Sequence, residues 1–191
     1  MTPADRAANY NQEFRRYPGS ALTVSPSGFI SGVWLLGNSY KGSGFYGAYP
    51  PQYLKRVTAL FPDAKKVMHL FSGSLPRSEE YLCVDLKDST GRRGVDAHYL
   101  SSQFQHKTFD LIYADPPYSK AAAARYGFPM INRRMVLQEC AKVLQPGGYV
   151  VWLDTVWPMV AKNYLKLVGT IAILRSQNHI VRCCFIMQKP K

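Results

Sequence analysis

The chain has 191 residues, 47% hydrophobic and 19% charged, a length that suits one domain burying roughly two-thirds of its unfolded surface without staples. The first residues are polar, no apolar run approaches the roughly 18 residues that span a bilayer, and the four cysteines form no Cys-x-x-Cys pair. Secretion, membrane insertion and metal binding are therefore not indicated, a cytoplasmic protein with reduced core cysteines is expected, and a net charge of +12 favours a polyanionic partner, nucleic acid first, unless it only solvates the surface.

Residues 1–26 are polar, with prolines at 3, 18 and 26, and are expected to form a loosely ordered arm. Val33-Trp34-Leu35-Leu36 then predicts a strand or hairpin leading into the turn-prone stretch Gly37–Gly44, whose Lys41 either touches nucleic acid or sits in a connector. From Phe45 the chain runs through Tyr49-Pro50-Pro51 into a short helix with Leu54, Val57 and Leu60 on one face, ending near Phe61-Pro62.

Val67-Met68-His69-Leu70 is an apolar strand that stops at Phe71-Ser72-Gly73-Ser74, a small-residue turn that lets a ligand approach the backbone closely. The next strand candidate, Tyr81–Val84, ends in a carboxylate, Asp85, about a dozen residues after Gly73. A dinucleotide-type fold expects roughly 20 there, so the crossover helix must be cut to about a turn or replaced by a loop. Another short crossing, Ser89–Gly94, precedes Asp96-Ala97, which on local grounds is a strand end or turn as readily as a binding position.

The most informative stretch is Phe109–Tyr118. Leu111–Ala114 has the length and composition of a buried strand, and it delivers Asp115-Pro116-Pro117-Tyr118 to its carboxyl end, where open α/β sheets place ligands. Two prolines stiffen the turn and fix the carbonyl groups around it. Such a turn presents two acceptors, the Asp115 carboxylate and the Pro116 carbonyl, to one amino group, and Tyr118 offers a face for stacking worth about 1–3 kcal/mol per base. The ligand implied is a planar ring bearing an NH₂ group.

This tetrad resembles motif IV of the S-adenosylmethionine-dependent amino-methyltransferases, the group that includes DNA adenine-N6 methyltransferases. The resemblance implies catalytic roles for Asp115, Pro116, Pro117 and Tyr118 and S-adenosyl-L-methionine as cofactor. It extends to a motif X-like Tyr49-Pro50, a motif I-like His69 to Ser74 that includes Phe71, Ser72 and Gly73, a motif II-like Asp85 and a motif III-like Asp96-Ala97. Two residues depart from the motif I pattern: His69 stands where an acid is usual, and Leu75 where a glycine is usual. The implied activity is methylation of an exocyclic amino group of a nucleic-acid base, adenine N6 in DNA first. An RNA base methyltransferase and a catalytically inactive nucleic-acid-binding relative are the alternatives.

After the tetrad, basic and aromatic residues interleave: Lys120, Arg125, Tyr126, Asn132, Arg133 and Arg134 either grip an extruded nucleotide or solvate a loop. Met135–Leu144 has helical spacing, Gln145–Gly148 stops it, and Tyr149–Leu153 is a buried strand. A last helix is expected from about Met159, followed by a hairpin of Leu167–Leu174 and Ile180–Met187. The expected architecture is one α/β domain over residues 1–191, with an arm and loop extension over 1–44 and a catalytic core over 45–191. That core is a Rossmann-like class I methyltransferase sheet with trimmed crossover helices and a C-terminal antiparallel hairpin. The stretch from Tyr118 to Pro146 leaves no room for a separate target-recognition domain, so low sequence selectivity, or help from a partner, is expected.

Overall fold

A computed structural model describes residues 1–37, 49–87, 93–175 and 178–191. Lys41 therefore lies outside the described residues. The described elements are α1 (Pro3–Glu13), β1 (Thr23–Val24), β2 (Ile30–Leu36), α2 (Tyr53–Leu60), β3 (Val67–Leu70), β4 (Tyr81–Asp85), β5 (Arg93–Gly94), α3 (Leu100–Gln103), β6 (Phe109–Ala114), α4 (Lys120–Arg125), α5 (Arg133–Val143), β7 (Leu144–Asp154), β8 (Lys166–Arg175) and β9 (Asn178–Gln188).

The strands form one sheet in the order β1-β2-β8-β9-β7-β6-β3-β4-β5. Its centre is parallel, with β6 between β3 and β7, while β9 runs antiparallel to both β7 and β8. Strand order reverses between β3 and β6, so the loops after these two strands open into one crevice at their carboxyl ends. The expected crossover trimming is present: no helix joins β3 to β4, and α3, between β5 and β6, has four residues.

Alternation along the central strands feeds two cores. Leu111 and Tyr113 point to the face covered by α1 and α2, and Ile112 and Ala114 to the face covered by α5. A strand buried on both faces reads as an unbroken apolar run, which is how β6 appears in the sequence.

Two expectations fail. Far from being loose, the first residues form α1, started by a capping box in which Thr2 and Asp5 bond reciprocally. Tyr10 is fully buried, stacked on Phe14 and Trp34 with centroids at 4.9 and 5.5 Å, and its hydroxyl accepts from Arg56. Arg6 is buried too, because Asp63 takes both its Nη atoms at 2.7 and 3.0 Å and Phe61 and Tyr149 flank its guanidinium. The second failure is the helix expected from Met159: residues 155–165 cross from β7 to β8 with only a turn closed by Tyr164 N–H on the Ala161 carbonyl (2.9 Å). Pro158 lacks the N–H a helix needs, and the segment packs on the core through Val160, Tyr164 and the buried Leu165.

Candidate active site

The tetrad leaves β6 at the crevice. Asp115 is half-buried, and the Tyr118 hydroxyl donates to its Oδ1. Burial pushes the Asp115 carboxyl up to about 7; the Tyr118 hydrogen bond and the Arg182 cation pull it down, and Asp154 pushes it up further. Burial and the neighbouring Asp115 charge hold the Tyr118 hydroxyl well above its usual range.

Three residues beyond the tetrad fix it in place. The Arg182 guanidinium, from β9, lies 4.9 Å from the centroid of the Tyr118 ring and occupies one of its faces. Arg133, the first residue of α5, donates from Nη2 to the Tyr118 carbonyl at 3.0 Å. The same guanidinium bonds Asp154 through Nε at 2.7 Å and Nη2 at 3.2 Å. Asp154 is fully buried at the end of β7, where it also accepts from Trp152 Nε1 (3.1 Å) and the N–H groups of Thr155 (2.7 Å) and Val156 (3.4 Å). A buried carboxylate this well satisfied is a rigid post.

Across the crevice, the turn after β3 is built for close approach. Phe71 and Gly73 both have left-handed backbone, with φ of 59° and 54°, which curls the turn into a tight cradle, and the Ser72 N–H ties it to the Val84 carbonyl at 3.2 Å. Gly73 N–H donates to Asp85 Oδ2 at 3.1 Å, tying the turn to the end of β4. The Ser72 hydroxyl oxygen is buried without a hydrogen-bond partner among the described residues, an orphan that a ligand in the cradle can satisfy. Ser74 completes the turn, half-buried.

Asp96 caps a short 3₁₀ turn, Ala97–Tyr99, with Ala97 buried beneath it. Its Oδ1 accepts from the His98 N–H at 2.9 Å and faces His98 Nδ1 at 2.7 Å. His98 Nε2 accepts from the Asn132 N–H at 3.0 Å, so the ring proton belongs on Nδ1, toward Asp96. Asn132 in turn caps α5 by accepting from Met135 N–H.

Tyr49 and His69 come together, and Pro50 is buried. Tyr49 stacks on Tyr53 at 5.7 Å, its hydroxyl lies 3.3 Å from His69 Nδ1, and the charges of both Asp115 and Asp85 reach it. His69 is packed among Tyr49, Tyr81 and Tyr113, and burial lowers its pKa to about 4. A group protonated more readily unfolded than folded lowers stability as pH falls between the two pKa values. We therefore expect stability to drop from pH 7 toward pH 4 by up to about 3 kcal/mol from this residue. Denaturant titrations of the wild type and His69→Phe at both pH values check it: on going from pH 7 to pH 4 the variant gains stability relative to the wild type by up to about 3 kcal/mol.

The proposed nucleic-acid contacts divide. Lys120 and Arg134 are exposed, at the first turns of α4 and α5; Arg125 and Tyr126 are exposed where α4 ends, and Asn132 caps α5. Arg133 turns inward: its Nε and Nη2 bond Asp154 and Tyr118, which makes it a brace for the tetrad. Beside it, Met130 to Arg134 and Trp157 to Met159 line a concavity of about 540 Å³. Asp154 and Arg182 escape a sequence reading. Their signals are an acid ending an apolar strand, as at Asp85 and Asp115, and a lone cation inside an apolar strand.

No protein-family model and no curated protein matches the chain. Solved structures do. TrmN from Thermus thermophilus aligns over 80% of this chain and 51% of its own, with a TM-score of 0.55 and 17% identity. The N-methyltransferase NodS from Bradyrhizobium japonicum WM9 covers 67% of this chain and 87% of its own, with a TM-score of 0.44 and 13% identity. Its complex with S-adenosyl-L-homocysteine covers 67% and 79%, with a TM-score of 0.43 and 15% identity. The chain spans about half the length of TrmN. The fold over most of this chain is thus shared with TrmN, a Rossmann-like α/β sheet.

Proposed function

We propose that the chain is an S-adenosylmethionine-dependent methyltransferase acting on an exocyclic amino group of a nucleic-acid base, adenine N6 in DNA in the first place. The observation that carries this is the juxtaposition, at one switch point, of the braced Asp115–Tyr118 pair and the Phe71–Gly73 cradle. The cofactor fits the cradle. The orphaned Ser72 hydroxyl in the turn and Asp85 at the end of the next strand are polar groups suited to a nucleoside with an amino-acid tail. Asp96 carries both of its His98 bonds on Oδ1, which leaves Oδ2 as an acceptor for an adenine amino group.

When bound, the cofactor supplies an electrophilic methyl group on a sulfonium. The chain supplies position. Ionised Asp115 and the Pro116 carbonyl accept the two N–H bonds of the target amine, which turns its lone pair out of the ring's conjugation and toward the methyl group. Transfer would form an N–CH₃ bond as the donor's S–CH₃ bond breaks, and one amine proton would leave, through Asp115 or directly to water. The Tyr118 face not occupied by Arg182 takes the base, and the Tyr118 hydroxyl yields its place on Asp115. A base in a duplex cannot reach this site unless it is flipped out.

Between Tyr118 and β7 the chain holds only α4 and α5, which supports low sequence selectivity. The deciding experiment is mass spectrometry of nucleosides from DNA and from RNA incubated with the protein and methyl-labelled cofactor. Label in N6-methyldeoxyadenosine is the expected result. Label confined to an RNA base moves the substrate to RNA, and no label, with no cofactor binding by calorimetry, overturns the enzyme reading.

A further inference from the structure

We propose that the concavity between the start of α5 and the crossover after β7 holds the nucleotide next to the target base, with Trp157 as its stacking platform and Arg134 as its phosphate partner; this rests on the nucleic-acid substrate proposed above. Of the three tryptophans, Trp34 and Trp152 are fully buried in the two cores, whereas Trp157 is 56% exposed and Met159 71%. Large apolar side chains grouped on the surface mark a binding face more often than an accident of packing. The lining of the concavity contains no acidic residue, and of its two cations Arg133 is paired with Asp154 while Arg134 is exposed. In a chain of net charge +12, that asymmetry complements a phosphate backbone. An exposed indole beside a cation, in a basic concavity, is how single strands are held without base readout.

Placement ties this face to the chemistry. The crossover carrying Trp157 begins with two N–H groups, Thr155 and Val156, bonded to Asp154 Oδ1 at 2.7 and 3.4 Å. Arg133 grips the same carboxylate and holds the Tyr118 carbonyl at 3.0 Å. The platform and the tetrad thus share one rigid post, and the proposal seats the chain neighbour of a base extruded onto Tyr118 against Trp157.

Because the other two indoles are buried, Trp157 is an intrinsic reporter. Titrating the full chain with a short single-stranded oligodeoxynucleotide is expected to quench tryptophan emission saturably. By anisotropy with a labelled oligonucleotide, Trp157→Ala weakens binding at least about fivefold, Trp157→Phe holds it within about threefold while losing the quench, and Arg134→Ala flattens the salt dependence. Calorimetry with S-adenosylmethionine on the same Trp157→Ala sample shows that its fold and cofactor site persist. Unchanged oligonucleotide affinity in Trp157→Ala overturns the proposal, as does a change in sedimentation with affinity kept, which assigns the face to a protein. Methylation of the same oligonucleotide by the wild type in either of those cases leaves the proposed activity standing, whereas a wild type that neither binds nor methylates DNA or RNA sinks both.

Discussion

Replacing Asp115 by alanine is expected to lower the methyl-transfer rate by at least about 10²–10³-fold while cofactor affinity, measured by calorimetry, stays within a few-fold. In the proposed reaction Asp115 accepts from the target amine, whereas the turn after β3 is tied to Asp85 at the end of β4 and makes no bond to Asp115. Asp115→Asn retains a carbonyl acceptor but no charge, and falls between the wild type and Asp115→Ala. An Asp115→Ala rate within tenfold of wild type removes Asp115 from catalysis.

The pH profile follows from the same burial. With the carboxyl pushed up to about 7, ionised Asp115 is scarce at pH 6 and dominant at pH 8, so kcat/KM rises with pH through an inflection near neutrality. The groups facing it are the Tyr118 hydroxyl from its own turn, Arg182 from β9, Asp154 from β7 and Tyr49 ahead of α2. Arg182→Met removes the cation that favours ionisation and shifts the inflection upward. Stability runs the opposite way. Folded Asp115 binds its proton more tightly than the unfolded chain does, so raising the pH from 4 through 7 costs stability, and Asp115→Asn is more thermostable than wild type at pH 8 but not at pH 4.

Arg133→Met is expected to destabilise the protein by about 3–5 kcal/mol, the largest stability loss predicted for a single change here. Asp154 is fully buried, and without the guanidinium its charge is left to three neutral donors, Trp152 Nε1 and the Thr155 and Val156 amides. The Tyr118 carbonyl loses its brace in the same stroke. Chemical denaturation of Arg133→Met, Asp154→Leu and the double variant measures the pair. The double variant is expected to be more stable than Arg133→Met, because the uncompensated charge is gone. Yet it does not recover full activity, since Tyr118 remains unbraced. An Arg133→Met protein as stable as wild type excludes the brace.

These two predictions draw on very different amounts of sequence legibility. The run Leu111–Ala114 and its abrupt stop at Asp115 announce a doubly buried strand and a rigid corner, because apolar length and proline chemistry are local properties. The β8–β9 hairpin and α5 are legible for the same reason, through periodicity and stop signals. The brace is not. Arg133 sits in a basic stretch that looks solvated, and only folding brings the end of β7 within reach of it. The α1 helix hides for a related reason: Arg6 looks like an exposed charge until Asp63, Phe61 and Tyr149 close around it. The crossover expected to be helical shows the converse, apolar residues without a partner face, and Trp157 and Met159 end up in solvent.

The parallel pairing of β2 with β8 joins Ile30 to Gly169 and Leu36 to Arg175. A ribosome emitting this chain has therefore released β2 long before its parallel partner emerges. Deleting the terminal hairpin should accordingly loosen the opposite terminus as well, and a short carboxy-terminal tag is safer than any cut placed ahead of Lys166.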